Sequence, residues 1–136
     1  MLAATFAVLG LVALPPGAHA LEQKLVAADG AMNDALAFSV AIEGETAVLG
    51  APGDDDSRGA VYVFTRSGGT WAQTAKLTAS DGVADDQLGH SVAIDGDTIV
   101  AGAPLDDAGA NLEQGSAYIF ARTGAAARGS NRARMG

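Results

Sequence analysis

Cysteine is absent from this 136-residue chain, which excludes disulfide bonds as a source of stability. Basic residues are also scarce, because eight Lys and Arg stand against sixteen Asp and Glu and give a net charge of −8. So acidic a chain repels nucleic acid phosphates and anionic lipid headgroups, and no nucleic acid partner is expected. The sequence also lacks Asn-x-Ser/Thr, so N-glycosylation is not indicated. Stability must come from packing, strand pairing or a bound cation.

Only one long apolar run occurs, at residues 2–14, and as a helix it would rise about 20 Å, too short for a bilayer core of about 30 Å. A Pro-Pro-Gly sequence ends the run, and Ala18-His19-Ala20 offers the small-x-small pattern of signal peptidase cleavage. Residues 1–20 are therefore predicted to be a signal peptide, which implies a secreted, extracellular or cell-envelope protein with no membrane span after cleavage. Since no Lys or Arg precedes the run, a short lipid-associating or buried segment is the alternative.

What the chain does contain is a duplication. Residues 24–55 recur as residues 76–107, at an offset of 52 and with 19 of 32 aligned positions identical. Self-similarity at a period near fifty is typical of propellers and solenoids, whose units cannot bury their apolar faces alone.

Each copy has apolar alternation of period two, which indicates strands. Glu43-Gly44 and Asp95-Gly96 interrupt paired β-rich runs and predict hairpins, because Gly supplies the positive φ of a tight turn. Gly-Ala-Pro ends the second strand of each copy, and an acidic loop then leads to a third strand. A fourth strand is predicted near Trp71. The fold class is therefore all-β, with two four-stranded antiparallel blades of an incomplete β-propeller.

The segments SVAIEGETAVLGAP with GAVYVF, and SVAIDGDTIVAGAP with GSAYIF, resemble the FG-GAP repeat, the blade unit of integrin alpha-subunit propellers and of exported bacterial proteins. The resemblance covers roughly residues 24–122. Gly-Ala-Pro is intact in both copies, whereas Leu36-Ala37 and Leu88-Gly89 stand where the family has Phe-Gly.

Four segments follow from the pattern: a signal peptide at 1–20, a first blade with its preceding outer strand at 21–79, a second, incomplete blade at 80–123, and a non-repeat basic tail at 124–136. The tail has no alternation and only Arg charge, so the chain is interpreted as a fragment or frameshifted product of a longer propeller. Exposed strand edges would then promote self-association. Three outcomes stay open: residues 21–27 pair with the second blade, several copies form a ring, or the blades stack marginally and aggregate.

The family's calcium loop is not expected here, because the connections at Glu43-Gly44-Glu45 and Asp95-Gly96-Asp97 are too short for six to eight oxygen ligands. Calcium remains the one cofactor that the acidic loops after Gly-Ala-Pro could hold, and a solvated turn is the alternative. The candidate metal ligands are Asp54, Asp56, Asp106 and Asp107. Acidic residues that recur at 29 and 34, and at 81 and 86, are interpreted as structural clamps to the backbone.

Catalysis is not expected. Gly89-His90-Ser91-Val92-Ala93 looks like a nucleophile elbow, but the first copy has Ala37-Phe38 in front of Ser39, and both serines lead into strands. The chain is therefore predicted to be a non-enzymatic exported module for protein binding, adhesion or structural support at the cell surface.

The resemblance implies that a protein or cell-surface ligand is recognised through the loops at 53–58 and 105–114. The side chains expected to contribute are Gly53, Asp55, Arg58, Asn111 and Glu113. The alternatives are a calcium-binding structural repeat and an accessory propeller of a larger exported enzyme.

Overall fold

The computed structural model describes residues 10–12, 20–122 and 130–135. Most of the predicted signal segment at 1–20 lies outside these residues. Within them the elements are β1 (Gly10–Val12), β2 (Ala20–Glu22), β3 (Ser39–Glu43), β4 (Thr46–Ala51), the short turn α1 (Asp54–Ser57), β5 (Ala60–Ser67), β6 (Thr70–Leu77), β7 (Ser91–Asp95), β8 (Thr98–Ala103), β9 (Ser116–Arg122) and β10 (Ser130–Met135).

The first copy folds into an antiparallel sheet with the order β3-β4-β5-β6. The β3–β4 hairpin turns at Gly44, whose φ is +56°, as the Glu-Gly sequence predicts. The register shifts between Val63 and Phe64 where β5 pairs with β6. An all-β fold built from the duplicated sequence is therefore confirmed.

The second copy repeats the arrangement with β7, β8 and β9, and Gly96 turns its hairpin with a φ of +60°. The repeat itself supplies these three strands. The fourth place in the sheet, beside β9, is taken by β10 from the basic tail, although the tail sequence has no alternation that predicts a strand.

Residues 21–27 do not supply an outer strand to the second sheet. Ala20–Glu22 instead pairs with β1 in a separate two-stranded sheet. The following residues lie against β6 of the first sheet, because the Gln23 side chain exchanges hydrogen bonds with the backbone of Trp71 at 2.7 and 2.9 Å. The option in which this segment completes the second blade is therefore wrong.

The apolar core consists of two layers on opposite faces of the first sheet. One layer lies between the sheets, where Val48 and Val61 pack against residues of the second copy, including Tyr118 and Phe120. The other layer contains Leu49, Tyr62 and Phe64, and it is covered by residues of the segment that precedes β3, together with Trp71. Strands with apolar residues on both faces are typical of a sheet that is packed on both sides.

The connection between the sheets runs beside the Gly-Ala-Pro segment of the first copy. A Cβ at Gly50 would overlap the carbonyl oxygen of Gly89 and the hydroxyl of Ser39, and both are fixed, since Ser39 Oγ donates to Gly89 O at 2.8 Å. The glycine of Gly-Ala-Pro thus permits the close approach of the two copies.

The sheets present two different ends. At the loop end, α1 and the loop at 104–115 meet the segments that lead into β3 and β7. At the hairpin end lie the tight turns at Gly44, Gly68 and Gly96. The recognition loops predicted from the sequence are all at the loop end.

Candidate functional site

A hydrogen-bonded cluster around Tyr62 organises the loop end of the first sheet. The tyrosine is fully buried on β5, and its hydroxyl donates to Asp29 Oδ1 at 2.7 Å, with Asp54 Oδ1 at 3.3 Å from the same hydroxyl. Lys76 on β6 completes the cluster, because its Nζ lies 2.6 Å from Asp29 and 2.9 Å from Asp54. The cluster joins the segment before β3, the turn α1 and two strands.

The charges in this cluster stabilise one another. The Lys76 ammonium, followed by the Tyr62 hydroxyl, lowers the pKa of Asp29 through hydrogen bonds. Burial alone would lower the pKa of Lys76, but its hydrogen bonds with Asp29 and Asp54 outweigh burial and raise it. Burial, and then the hydrogen bond to Asp29, raises the pKa of Tyr62. The lysine therefore stays charged and the tyrosine stays a donor at neutral pH.

The second copy repeats the tyrosine and both carboxylates. Tyr118 donates to Asp81 at 2.8 Å, and Asp106 Oδ2 lies 3.3 Å from the same hydroxyl. In the first sheet Lys76 is the register partner of Tyr62, and in the second sheet Arg134 of β10 is the register partner of Tyr118. A basic residue thus takes the same register position beside the tyrosine in both sheets.

Another contact that occurs in both copies holds the segments before β3 and β7. Asp34 accepts a hydrogen bond from the backbone of Ala31 at 2.7 Å, and Asp86 accepts one from Val83 at 2.8 Å. Both carboxylates are buried. Burial raises the pKa of Asp86, while the Val83 N–H opposes the shift. The side-chain-to-backbone clamp predicted for these positions is confirmed, whereas Asp29 and Asp81 bind tyrosine hydroxyls.

The four predicted metal ligands have different environments. Asp54 and Asp106 are buried, at 5% and 2% exposure, and each contacts a tyrosine hydroxyl. Asp56 is exposed, and Asp107 accepts a hydrogen bond from the backbone of Glu113 at 2.7 Å. Among the described residues, no group of three or more His, Cys, Asp or Glu side chains could hold a metal ion. The four aspartates are not brought together as one site.

A polar cavity of about 370 Å³ lies beside the Tyr62 cluster. Asp29, Asp34, Asp54 and Asp55 line it, and the cations Lys76 and Arg58 line it too. These cations would repel a metal ion and partly neutralise the acidic wall.

The predicted recognition residues lie on two loops of unequal length. Asp55 and Arg58 are exposed on the first loop, where Asp55, Asp56 and Ser57 all have positive φ. Asn111 and Glu113 are exposed on the second loop, and Gly53 is half-buried at the start of the first. The sequence did not single out Leu112, yet its side chain is 76% exposed between the two predicted residues.

Ser91 and His90 do not form a nucleophilic pair. Ser91 lies on β7, opposite Gly102, and the His90 ring packs at a tilt against the Phe38 ring, with centroids 4.7 Å apart. Phe38 and His90 occupy the same position in the two copies, so the equivalent positions of neighbouring sheets meet directly.

The hairpin end carries repeated ion pairs that the sequence analysis missed. Arg66 at the end of β5 pairs with Glu45, and Arg122 at the end of β9 pairs with Asp97. The Glu45 carboxylate raises the pKa of Arg66, and Arg66 lowers that of Glu45. The recurrence of an Arg two residues after Phe64 and Phe120 was the signal that could have revealed them.

Antiparallel sheets repeated along the chain and held together at their loop ends define a β-propeller-type repeat module. Comparison with known protein families finds the FG-GAP repeat at residues 20–64 and 71–120. The chain belongs to the FG-GAP repeat family. Comparison with curated proteins finds no match. FG-GAP repeats are typical of extracellular proteins, and no helix among the described residues is long and apolar enough to span a membrane.

Proposed function

We propose that this protein is an exported, non-catalytic β-propeller module that recognises a protein or cell-surface ligand through its loop end. The observation that carries the proposal is the exposed side chain of Leu112 on a loop with fixed ends. A partner that covers this side chain removes apolar surface from water, which favours association. Asn111 and Glu113 are the polar residues on either side of Leu112.

Hydrogen bonds fix this loop from both sides. Gly115 N donates to Asp106 O at 2.8 Å, and Glu113 N donates to the Asp107 side chain at 2.7 Å. Asp106 is in turn held by Tyr118. A loop positioned in this way loses less conformational freedom on binding than a free one, which favours affinity.

The test is site-specific photo-crosslinking of the full chain on intact cells of its source. A benzophenone amino acid replaces Leu112, and the matched control carries it at Thr70, an exposed position at the hairpin end. Crosslinks to a surface protein from position 112 and not from position 70, undiminished by EDTA, are expected. Equal yields from both positions would contradict recognition by the loop end.

Calcium-dependent stiffening of the loops is the second candidate, because four carboxylates line the cavity beside Asp54 against the two opposing cations Lys76 and Arg58. Millimolar calcium would then raise Tm, and Asp54→Asn with Asp56→Asn would remove the increase. A Tm that does not change in millimolar calcium would exclude this candidate and would be consistent with recognition that needs no ion. An accessory propeller of a larger enzyme requires that the neighbouring coding sequence continue into a catalytic domain.

A further inference from the structure

On the covered face of the first sheet, the edge formed by β3 is apolar and exposed. Val40 and Ile42 on β3 are 64% and 66% exposed, and they share this face with their register partners Leu49 and Ala47. We call this exposed edge the open face. The equivalent residues of the second copy, Val92 and Ile94, instead pack against the core layer between the sheets. The same positions thus contact a neighbouring sheet in one copy and solvent in the other.

The segment that leads into β3 has the same backbone conformation as the segment that leads into β7, which is hydrogen-bonded to the first copy. In the second copy, the N–H groups of residues 85, 87 and 88 donate to the carbonyls of Asp56, Ser57 and Arg58 at 2.8–3.1 Å. The equivalent N–H groups are those of Asn33, Ala35 and Leu36, and the described part of the chain shows no acceptor for them.

The φ angles of the two segments agree closely. They are 72°, 57° and 72° at positions 33, 35 and 37, against 71°, 62° and 93° at positions 85, 87 and 89. Positive φ is unfavourable for residues other than Gly, so three such residues indicate a conformation that is fixed by the fold.

The second sheet carries a surface that matches the open face. Glu113 and Gly115 have φ of 51° and 86°, close to the 62° of Ser57 and the 86° of Gly59. Gly115 N bonds to Asp106 O as Gly59 N bonds to Asp54 O. The carbonyls of residues 113 and 114 therefore correspond to those of residues 57 and 58, whereas Leu112 lacks the positive φ of Asp56.

The apolar residues next to these carbonyls correspond as well. Val48 and Val61 of the first copy are buried at the contact between the sheets, and Val63 is buried two residues after Val61 on β5. Their equivalents in the second copy are only half-buried. These equivalents are Val100, Ala117 and Ile119. We call this surface the outer face.

We propose that the open face binds the outer face of a second copy of this chain, head to tail, and so repeats the contact between the two sheets of one chain. Ser91 would donate to Ala37 O, as Ser39 donates to Gly89 O at 2.8 Å. The Asp95 carboxylate would accept from Gly44 N, as Glu43 accepts from Gly96 N at 2.9 Å. Association then occurs through sheet faces and not through strand edges.

A head-to-tail contact is heterologous and leaves one open face and one outer face at the ends of every dimer. Further copies add until the rotation closes a ring, or a filament results. The assembly state should therefore increase with protein concentration.

The first experiment is light scattering coupled to size exclusion over a range of protein concentrations. Wild-type chain is expected to form oligomers, and Val40→Lys or Ile42→Lys is expected to weaken association about tenfold or more, because each places a charge in an apolar contact. The matched control is Ala72→Lys. Ala72 is exposed on β6, at the opposite edge of the sheet from β3, so this variant should associate like wild type. A wild-type chain that is monomeric throughout, or equal weakening by all three substitutions, would overturn the proposal.

The second experiment does not depend on how the lysine variants fold, and it uses the absence of native cysteine. Phe38 and His90 meet within one chain at 4.7 Å between ring centroids, so a head-to-tail contact brings His90 of one copy to Phe38 of the next. Phe38→Cys and His90→Cys chains should form a disulfide dimer when mixed and none when separate. Dimers from Phe38→Cys alone would show a symmetric face-to-face contact, and no dimer in the mixture would show no contact; either result refutes the head-to-tail arrangement.

Discussion

The loop end and the hairpin end of the sheets both use paired charges, but in different surroundings. At the loop end, Lys76 contacts the buried Asp54 beside a fully buried tyrosine. At the hairpin end, Arg66 and Glu45 are both exposed. Coulomb attraction strengthens where water is excluded, whereas exposed pairs are screened by water and salt. The comparison indicates that the loop end fixes the arrangement of the segments and that the hairpin end contributes little to stability.

The largest effect is expected from Tyr62→Phe at the loop end. The substitution removes the hydroxyl shared by Asp29 and Asp54 while it keeps the buried ring. Loss of the hydrogen bonds that join a buried hydroxyl to two carboxylates should lower the free energy of unfolding by about 2 kcal/mol. Urea unfolding measures this change in the free energy of unfolding. If the Tyr62→Phe chain is as stable as wild type, the loop end does not stabilise the fold more than the hairpin end does.

A smaller, pH-dependent effect is expected from Asp29→Asn. Lys76 and Tyr62 hold the folded-state pKa of Asp29 below its ordinary 3.8, so its ionised form stabilises the fold above that pH. This contribution is lost as pH falls through the lowered pKa. The variant should therefore have a lower Tm than wild type at pH 7, and the difference should shrink below pH 3.8. A Tm difference that is constant from pH 7 to pH 2.5 would contradict an electrostatic role.

The smallest effect is expected from Arg66→Ala at the hairpin end. Its guanidinium pairs with the exposed Glu45 and lies 5.5 Å from the centre of the Trp71 ring. Exposed pairs contribute little, so Tm should fall by about 1 °C or less, and the difference should vanish in molar salt. Arg66→Lys, which keeps the charge, serves as the control. A loss comparable to that of Tyr62→Phe would mean that the two ends do not differ.

The strands and turns could be predicted from sequence because they depend on local signals. Alternation and the Glu-Gly and Asp-Gly turns placed β3, β4, β7 and β8 correctly. The strand β10 could not be predicted, since its sequence lacks alternation and its pairing with β9 is a tertiary interaction.

The candidate site was only partly predictable. Recurrence marked Asp34 and Asp86 as clamps, but nothing local shows that Tyr62 meets Asp29, which is 33 residues away. The exposure of Val40 and Ile42 could not be predicted either. Alternation shows which residues share a face of a strand, but it does not show whether a neighbouring element covers that face.

The longer loop of the second copy has a consequence for how such repeats diverge. Asp54 with Gly59, and Asp106 with Gly115, form the same backbone hydrogen bond across four and eight intervening residues. Doubling a loop between fixed ends costs only about 0.6 kcal/mol of closure entropy. A lineage, or a protein engineer, can therefore graft new sequence at this point while the sheet beneath keeps its register, which makes the loop the least costly place for the module to acquire a new specificity.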